Sequence, residues 1–413
     1  MVPNGWVKAA IKQLGDVSAG RQRSPNFTEG SVRPYLRVAN VFEAFIDTND
    51  VNEMPFTDKE FERYKLEPGD ILLNEGQSTE LVGRPAMYKG EPANCCFQNT
   101  LVRFKANDQV NQNYALQRFL LCLYDGTFQS ISKKTTSIAH LGVSRFADLK
   151  LAWPPLFEQN KIAQILSTWD EAITTTEQLL ANSQQQKIAL MQQLLTGKKR
   201  LLDKNGVRFS GEWKYVEIGR VLKEVKRPVD WDDDAEYKLL SVKRRSEGVV
   251  LREVLKGSDI LTKKMNVAHS GDFLISKMQI VHGAAGLVSD EFDGFHVSDS
   301  YISLIPKDES KLNIHFFAWF AKQKLMYHKA FLCSYGVHIE KMTFNFKLFL
   351  KEKIRVPVSI EEQQKIAAIL SSADQEISAL QQKLDALKQE KKALMQQLLT
   401  GKRRVNVDEK EVA

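Results

Sequence analysis

The sequence predicts an α/β (α+β) protein made of two tandem modules, each followed by a long helix, as a pseudo-twofold repeat. Three observations carry this: an ungapped internal repeat, a heptad stripe within each copy, and a weaker echo between the segments ahead of the copies. Length agrees, because 413 residues accommodate two or three domains with cores of their own.

Residues 158–201 and 362–405 align at a constant shift of 204, with 25 identities in 44 positions. Self-similarity on this scale dictates architecture and takes precedence over local propensity. The shared strings are EQ(N/Q)KIA(Q/A)IL and ALMQQLLTGK(K/R)R.

Each copy carries the stripe of a helix that pairs with another helix. In the second copy Ile366, Leu370, Ala373, Ile377, Leu380, Leu384, Leu387, Lys391, Leu394 and Leu398 follow steps of four and three. That is the 3.5-residue seam of a coiled coil, with Lys391 as a polar interruption able to fix register. The first copy keeps the register at Ile162, Leu166, Trp169, Ile173, Thr176, Leu180, Ser183, Lys187, Leu190 and Leu194. Two such stripes in one chain satisfy each other by packing together. Pro154-Pro155 and Pro357 mark the helix entries, and Gly197 and Gly401, each followed by cations, mark the exits. Residues off the seam recur too, in EQ, K, QQ and TGK, which points to a shared external partner for the exposed faces.

The modules echo each other more faintly. Trp6 and Ile11 answer Trp213 and Ile218; Gly69-Asp70 answers Gly271-Asp272, each a turn opening an aliphatic strand; Phe97 to Leu101 answers Val297 to Tyr301. A helix is expected in each, over Tyr114–Leu123 and Ile314–Tyr327. The organisation is therefore module 1–153, helix 154–202, module 203–357, helix 358–405 and tail 406–413. The helices have stayed alike while the modules have drifted. That pattern suits one common frame carrying two different readers, such as readers of two DNA half-sites.

Composition permits such a partner: 58 basic against 51 acidic residues give a net charge of +7. The start MVPNGWVKAA lacks the basic-then-apolar pattern of a secretory signal, and no apolar run reaches membrane-spanning length. Cys95, Cys96, Cys122 and Cys333 include no CxxC pair and are expected as buried thiols, so a cytoplasmic location without membrane association is expected.

Bases are read in the major groove by Arg or Lys on guanine, Asn or Gln on adenine, and Ser or Thr on several edges. Phosphates are held by basic and hydroxyl groups. Loop residues with this chemistry are Arg21, Arg23, Asn74, Gln77, Ser78, Arg84, Lys133, Lys134, Thr135 and Thr136 in the first module. In the second they are Lys243, Arg244, Arg245, Lys263, Lys264, Lys277, Gln279 and His338. Singly, each reads as a solvated loop residue; as a set they suggest a DNA face.

No catalytic or metal-binding residue is assigned. WPPLF at Trp153–Phe157 lacks the asparagine of an amino-methyltransferase motif, and Pro228, Asp230 and Glu236-Tyr237-Lys238 are too closely spaced for a nuclease cluster. No phosphate-binding GxxxxGK[ST] loop is present. A stand-alone methyltransferase or nuclease, and a scaffold that binds no DNA, are the competing readings.

With these residues in view, the chain resembles a specificity subunit of type I restriction–modification enzymes. The carriers are the two helix motifs, the Gly-Asp strand starts and the module–helix–module–helix order. The resemblance implies two target-recognition domains, each reading one half of a bipartite, asymmetric site on double-stranded DNA. It implies that the two helices form an antiparallel coiled coil that spaces the domains and docks two methyltransferase subunits, with two restriction subunits joining through the complex. S-adenosylmethionine, ATP and magnesium would then serve those partner subunits, and this chain would bind no cofactor and catalyse nothing itself.

Overall fold

A computed structural model of the chain describes residues 2–24, 28–135, 137–336, 338–339 and 342–406. It forms two compact units, one of Met1–Gln178 with Gln382–Ala413 and the other of Leu179–Gln381. Each long helix therefore contributes a stretch to both units.

In the first unit the opening strand Val7–Ala10 pairs antiparallel with Lys150–Trp153, just before the long helix. A four-stranded sheet runs in the order Gly15–Ala19, Leu101–Ala106, Ile71–Asn74, Pro85–Met87. A second sheet has the order Asn52–Phe56, Ser31–Leu36, Cys96–Phe97, and a third joins Lys133–Lys134, Ala139–His140 and Gly76–Gln77.

The second unit repeats the plan. Trp213–Glu217 pairs with Lys353–Pro357. One four-stranded sheet runs Leu222–Val225, Tyr301–Pro306, Phe273–Ser276, Ala285–Leu287, and another runs Val249–Lys256, Glu236–Val242, Phe295–Ser298, Met265–Ala268. A small hairpin, Ser334–Tyr335 with Thr343–Phe344, stands where the first unit has its lysine hairpin.

Both Gly-Asp turns fold as their residues require. Gly69 and Gly271 take φ of +100° and +83°, a region costly for residues with a Cβ. The aspartate that follows turns back to accept a backbone N–H, Glu67 N to Asp70 at 2.9 Å and His269 N to Asp272 at 3.0 Å. The next four residues, Ile71 to Asn74 and Phe273 to Ser276, are buried central strands. The helix expected over Tyr114–Leu123 is present and slightly longer, Gln112–Tyr124, but that expected over Ile314–Tyr327 is two helices, Ile314–Ala321 and Lys324–Leu332.

The long helices, Leu156–Leu194 and Ile360–Leu398, have 39 residues each, about 58 Å at 1.5 Å per residue. They pair antiparallel. In the first unit Glu158 meets Arg404, Asp170 meets Lys391 and Glu177 meets Lys388. In the second Ser183 meets Glu376, Lys187 meets Asp374 and Arg200 meets Glu362. Residue numbers rise along one helix as they fall along the other. Seam residues Ile162, Leu166, Leu180, Leu194, Ile366, Leu370, Leu384 and Leu398 are buried. Ile173, Leu190, Ile377, Leu380, Leu387 and Leu394 are half-buried.

The helix starts are built into the module cores. Ile162 and Leu166 share a core with Tyr114, Phe119 and Trp153, while Ile366 and Leu370 share one with Phe316, Phe317 and Trp319. Gln159 is buried and donates to Gln109 O and Pro154 O while accepting from Asn111 N. Gln363 does the same with Lys311 O, Pro357 O and Asn313 N. Glu158 collects both ends of its unit: Trp6 Nε1 donates to it at 3.1 Å and Arg404 binds it through two nitrogens. Arg404 also donates to Asn4 O at 2.6 Å.

All four cysteines are free and buried, and burial pushes the Cys95, Cys96 and Cys122 thiols up to about 12. Among the described residues, no helix is long and apolar enough to cross a membrane.

Candidate nucleic-acid interface

Three loops of the first unit come together through their backbones. The loop 75–84 leaves the central strand Ile71–Asn74, and its Gly76–Gln77 segment pairs with Ala139–His140 of the lysine hairpin. That hairpin carries Lys133 and Lys134, both exposed, with Lys133 opposite His140 and Lys134 opposite Ala139. Thr135 closes its turn, donating through both N and Oγ1 to Ile138 O. His140 Nδ1 lies 3.0 Å from Glu75 Oε2, fixing the hairpin to the start of the loop.

The third loop, 41–46, is tied in by one carbonyl. Val41 O accepts from Asn74 Nδ2 at 3.3 Å and from Arg84 at 2.7 Å. Gln77, Ser78, Arg84, Lys133, Lys134 and Thr135 thus form one neighbourhood, and Thr136 lies outside the described residues.

The second unit assembles the corresponding loops. Lys243 N donates to Gly248 O across the turn that carries Arg244 and Arg245, both exposed. Ser246 N donates to Gly283 O, which brings that turn onto the loop of Lys277 and Gln279. Lys277 Nζ donates to Asp299 O at 2.5 Å, and Asp299 N donates to Lys264 O, so Lys264 adjoins the group. His338 is exposed in the hairpin of Ser334–Tyr335.

Other candidates are placed elsewhere. Arg21 is buried: it donates to Glu60 at 2.8 Å and to Pro55 O, and its guanidinium lies over Phe56. Asn74 is fully buried, and its side-chain amide donates to Val41 O. Both hold the framework rather than the surface, because burial makes an internal partner obligatory for a polar side chain. Arg23 is exposed on the segment after Arg21, and Lys263 is paired with Asp233 at 2.6 Å.

One exposed feature has no counterpart among the sequence candidates. Phe42 and Phe45, in the 41–46 loop, are 40% and 59% exposed. A search for basic and amide side chains passes over them, and only the position of the loop gives them away. Their neighbour Glu43 accepts from Tyr124 OH; burial, followed by that bond, pushes the Tyr124 phenol up and keeps it a donor.

The nuclease-like string resolves into packing: Trp231 stacks flat on Tyr237 at 4.4 Å, and Asp233 accepts from Trp231 Nε1. Among the described residues, no group of three or more His, Cys, Asp or Glu is placed to hold a metal ion.

Comparison with known proteins places this architecture. The family description "Type I restriction modification DNA specificity domain" matches twice, over residues 3–182 and 194–389. A putative type I restriction enzyme MjaX specificity subunit from Methanocaldococcus jannaschii is 24% identical over 233 residues, 56% of this chain and 52% of that protein. The EcoKI specificity subunit of Escherichia coli is 22% identical over 180 residues, 43% of this chain and 38% of its own length. The aligned region thus spans about half or less of these relatives. The crystal structure of a type I restriction–modification S subunit from M. genitalium superposes with a TM-score of 0.56 at 14% identity, covering 98% of both chains. A structure from work on assembly and conformational transition of a type I system gives 0.56 at 15%, covering 98% of this chain and all of that one. At such identities the structural likeness speaks for the fold alone, and the family match speaks for membership. The chain belongs to the type I restriction–modification specificity subunits and carries two DNA specificity domains.

Proposed function

We propose that each unit reads one half of a bipartite, asymmetric DNA site through its loop cluster, and that the helix pair sets the spacer between the halves. The observation carrying this is the duplicated placement of loops: three meet in the first unit and the loops 243–248 and 277–284 meet in the second, yet their side chains differ. Gln77, Ser78, Lys133 and Lys134 stand in one, and Arg244, Arg245, Lys277 and Gln279 in the other. Arg and Gln offer base-edge hydrogen bonds while the lysines suit phosphates. Helices of about 58 Å correspond to at most roughly 17 base pairs of duplex.

The repeated outer faces of the helices dock methyltransferase subunits, and restriction subunits join through them. In this reading S-adenosylmethionine, ATP and magnesium belong to those partners, and the chain supplies recognition without catalysis. Sequencing of methylated DNA from cells with and without the chain tests this: one bipartite motif should appear. Exchanging residues 1–153 for another member's module should alter one half only. Methylation by the purified chain alone, or a motif indifferent to the exchange, would overturn the reading.

A further inference from the structure

The loop 41–46 holds two phenylalanine rings in water and fixes them there. Phe42 and Phe45 are 6.4 Å apart at 42°, and Phe42 N donates to Phe45 O at 2.8 Å to close the turn. Ala44 at its tip takes φ of +57°, unfavourable for a residue with a Cβ, and donates to Pro85 O at 2.9 Å. Arg84 is anchored to Val41 O while its guanidinium sits 4.7 Å over the Phe42 ring. The acidic member of the loop, Glu43, is engaged by Tyr124. A turn braced on all sides that still presents two aromatic rings is pre-organised for contact.

What it contacts follows from its neighbours. The loop is joined through Asn74 and Arg84 to the segment of Gln77 and Ser78, which pairs with the hairpin of Lys133 and Lys134. Aromatic rings beside guanidinium and ammonium groups match a nucleic acid: the cations meet phosphate, and the rings meet a base face. In the second unit the connection between the corresponding strands, Glu236–Val242 and Val249–Lys256, carries Arg244 and Arg245 instead, again with left-handed residues at Arg245 (+58°) and Ser246 (+56°). The connection is shorter there, 243–248 against 37–51, and basic where the first is aromatic.

We propose that Phe42 and Phe45 form an apolar wedge that stacks against a partly opened base step in the half-site read by the first unit. The inference rests on the DNA-reading function above. Duplex DNA is the occupant, and the wedge adds recognition of step deformability to whatever edges Gln77 and Ser78 read.

The test uses the full chain co-expressed with its methyltransferase subunit. The motif is mapped by sequencing methylated DNA, and 2-aminopurine is then walked through a duplex carrying it. The wild type should raise fluorescence at one step of the first half-site. Phe42→Ala/Phe45→Ala should lose that rise and bind roughly 10- to 100-fold more weakly, while Phe42→Tyr/Phe45→Tyr keeps both. An alanine variant that binds within about twofold of wild type and keeps the rise overturns the wedge. Unchanged DNA affinity with lost methyltransferase co-purification also overturns it and assigns the loop to a protein partner. A wild-type complex that yields no motif brings down the functional reading and the inference together; a motif with no responsive step brings down the wedge alone.

Discussion

Lys391 Nζ donates to Asp170 Oδ1 at 2.6 Å inside the helix pair, and the repeat sets the same pair, Lys187 with Asp374, in the second unit. Asp170 also accepts from Gln117 Nε2 at 2.7 Å, so one carboxylate ties a module helix to both long helices. At the position answering Gln117 stands Trp319, which donates to Ser371 Oγ at 3.0 Å and receives Lys322 over its ring at 4.1 Å. The seam is symmetric in this ion pair and asymmetric in how the modules grip it.

Removing the Asp170 carboxylate as Asp170→Leu strands a lysine whose side chain is only 10% exposed. Urea unfolding of the full chain should show a loss of about 2–3 kcal/mol, below the range for fully buried pairs because Asp170 is partly hydrated. Asp170→Leu/Lys391→Leu should recover most of it. A coupling energy under about 0.5 kcal/mol in the double-mutant cycle would dismiss the pair as a register element.

Gln159 and Gln363 each satisfy three backbone groups where a long helix meets its module. Replacing either with Leu leaves two carbonyls and an N–H unpaired, so each variant should lose about 3 kcal/mol. Equal losses at the two sites are expected in calorimetry. A change under about 1 kcal/mol at both would show that water takes over those groups.

Gly197 and Gly401 both take φ near +70°, at 71° and 70°. A Cβ at 401 would stand 2.4 Å from Pro3 Cγ, whereas at 197 the nearest atom is Trp213 Cε2 at 3.1 Å. Gly401→Ala should therefore lower the melting midpoint more than Gly197→Ala, with the latter costing about 1–2 kcal/mol from the backbone alone. The reverse order would contradict the packing of residues 401–404 against the opening segment.

Lys133→Gln and Lys134→Gln should weaken binding evenly across sequences and each reduce the salt slope of log K by about one, as expected of phosphate ligands. Gln77→Ala should instead relax preference at one position of the methylated motif. A sequence-dependent effect from the lysines would reverse those roles.

The duplication, the heptad seam and the Gly-Asp strand starts were legible because each rests on local spacing. The ion pairs were half legible: Lys391 stood out as a polar residue in an apolar stripe. Its partner Asp170 lies one position past Trp169 and needed the opposing helix to reveal it. Arg21 and Asn74 show the converse. Composition marks them for the surface, but long-range contacts with Glu60 and Val41 put them inside. The aromatic loop was missed because its character comes from Arg84 and Asn74, some forty and thirty residues away.

Glu158, shared by Trp6 and Arg404, has a consequence for when the first unit can close. The segments near residues 4 and 404 meet on it just as the segment at Arg200 meets Glu362 in the other copy. Within the first unit, segments some four hundred residues apart are thus held on one carboxylate, and residues 401–404 must return to the segment of residues 3–6 before that unit is complete. Because residues 382–404 belong to the first unit, its core closes only after every residue of the second has been synthesised.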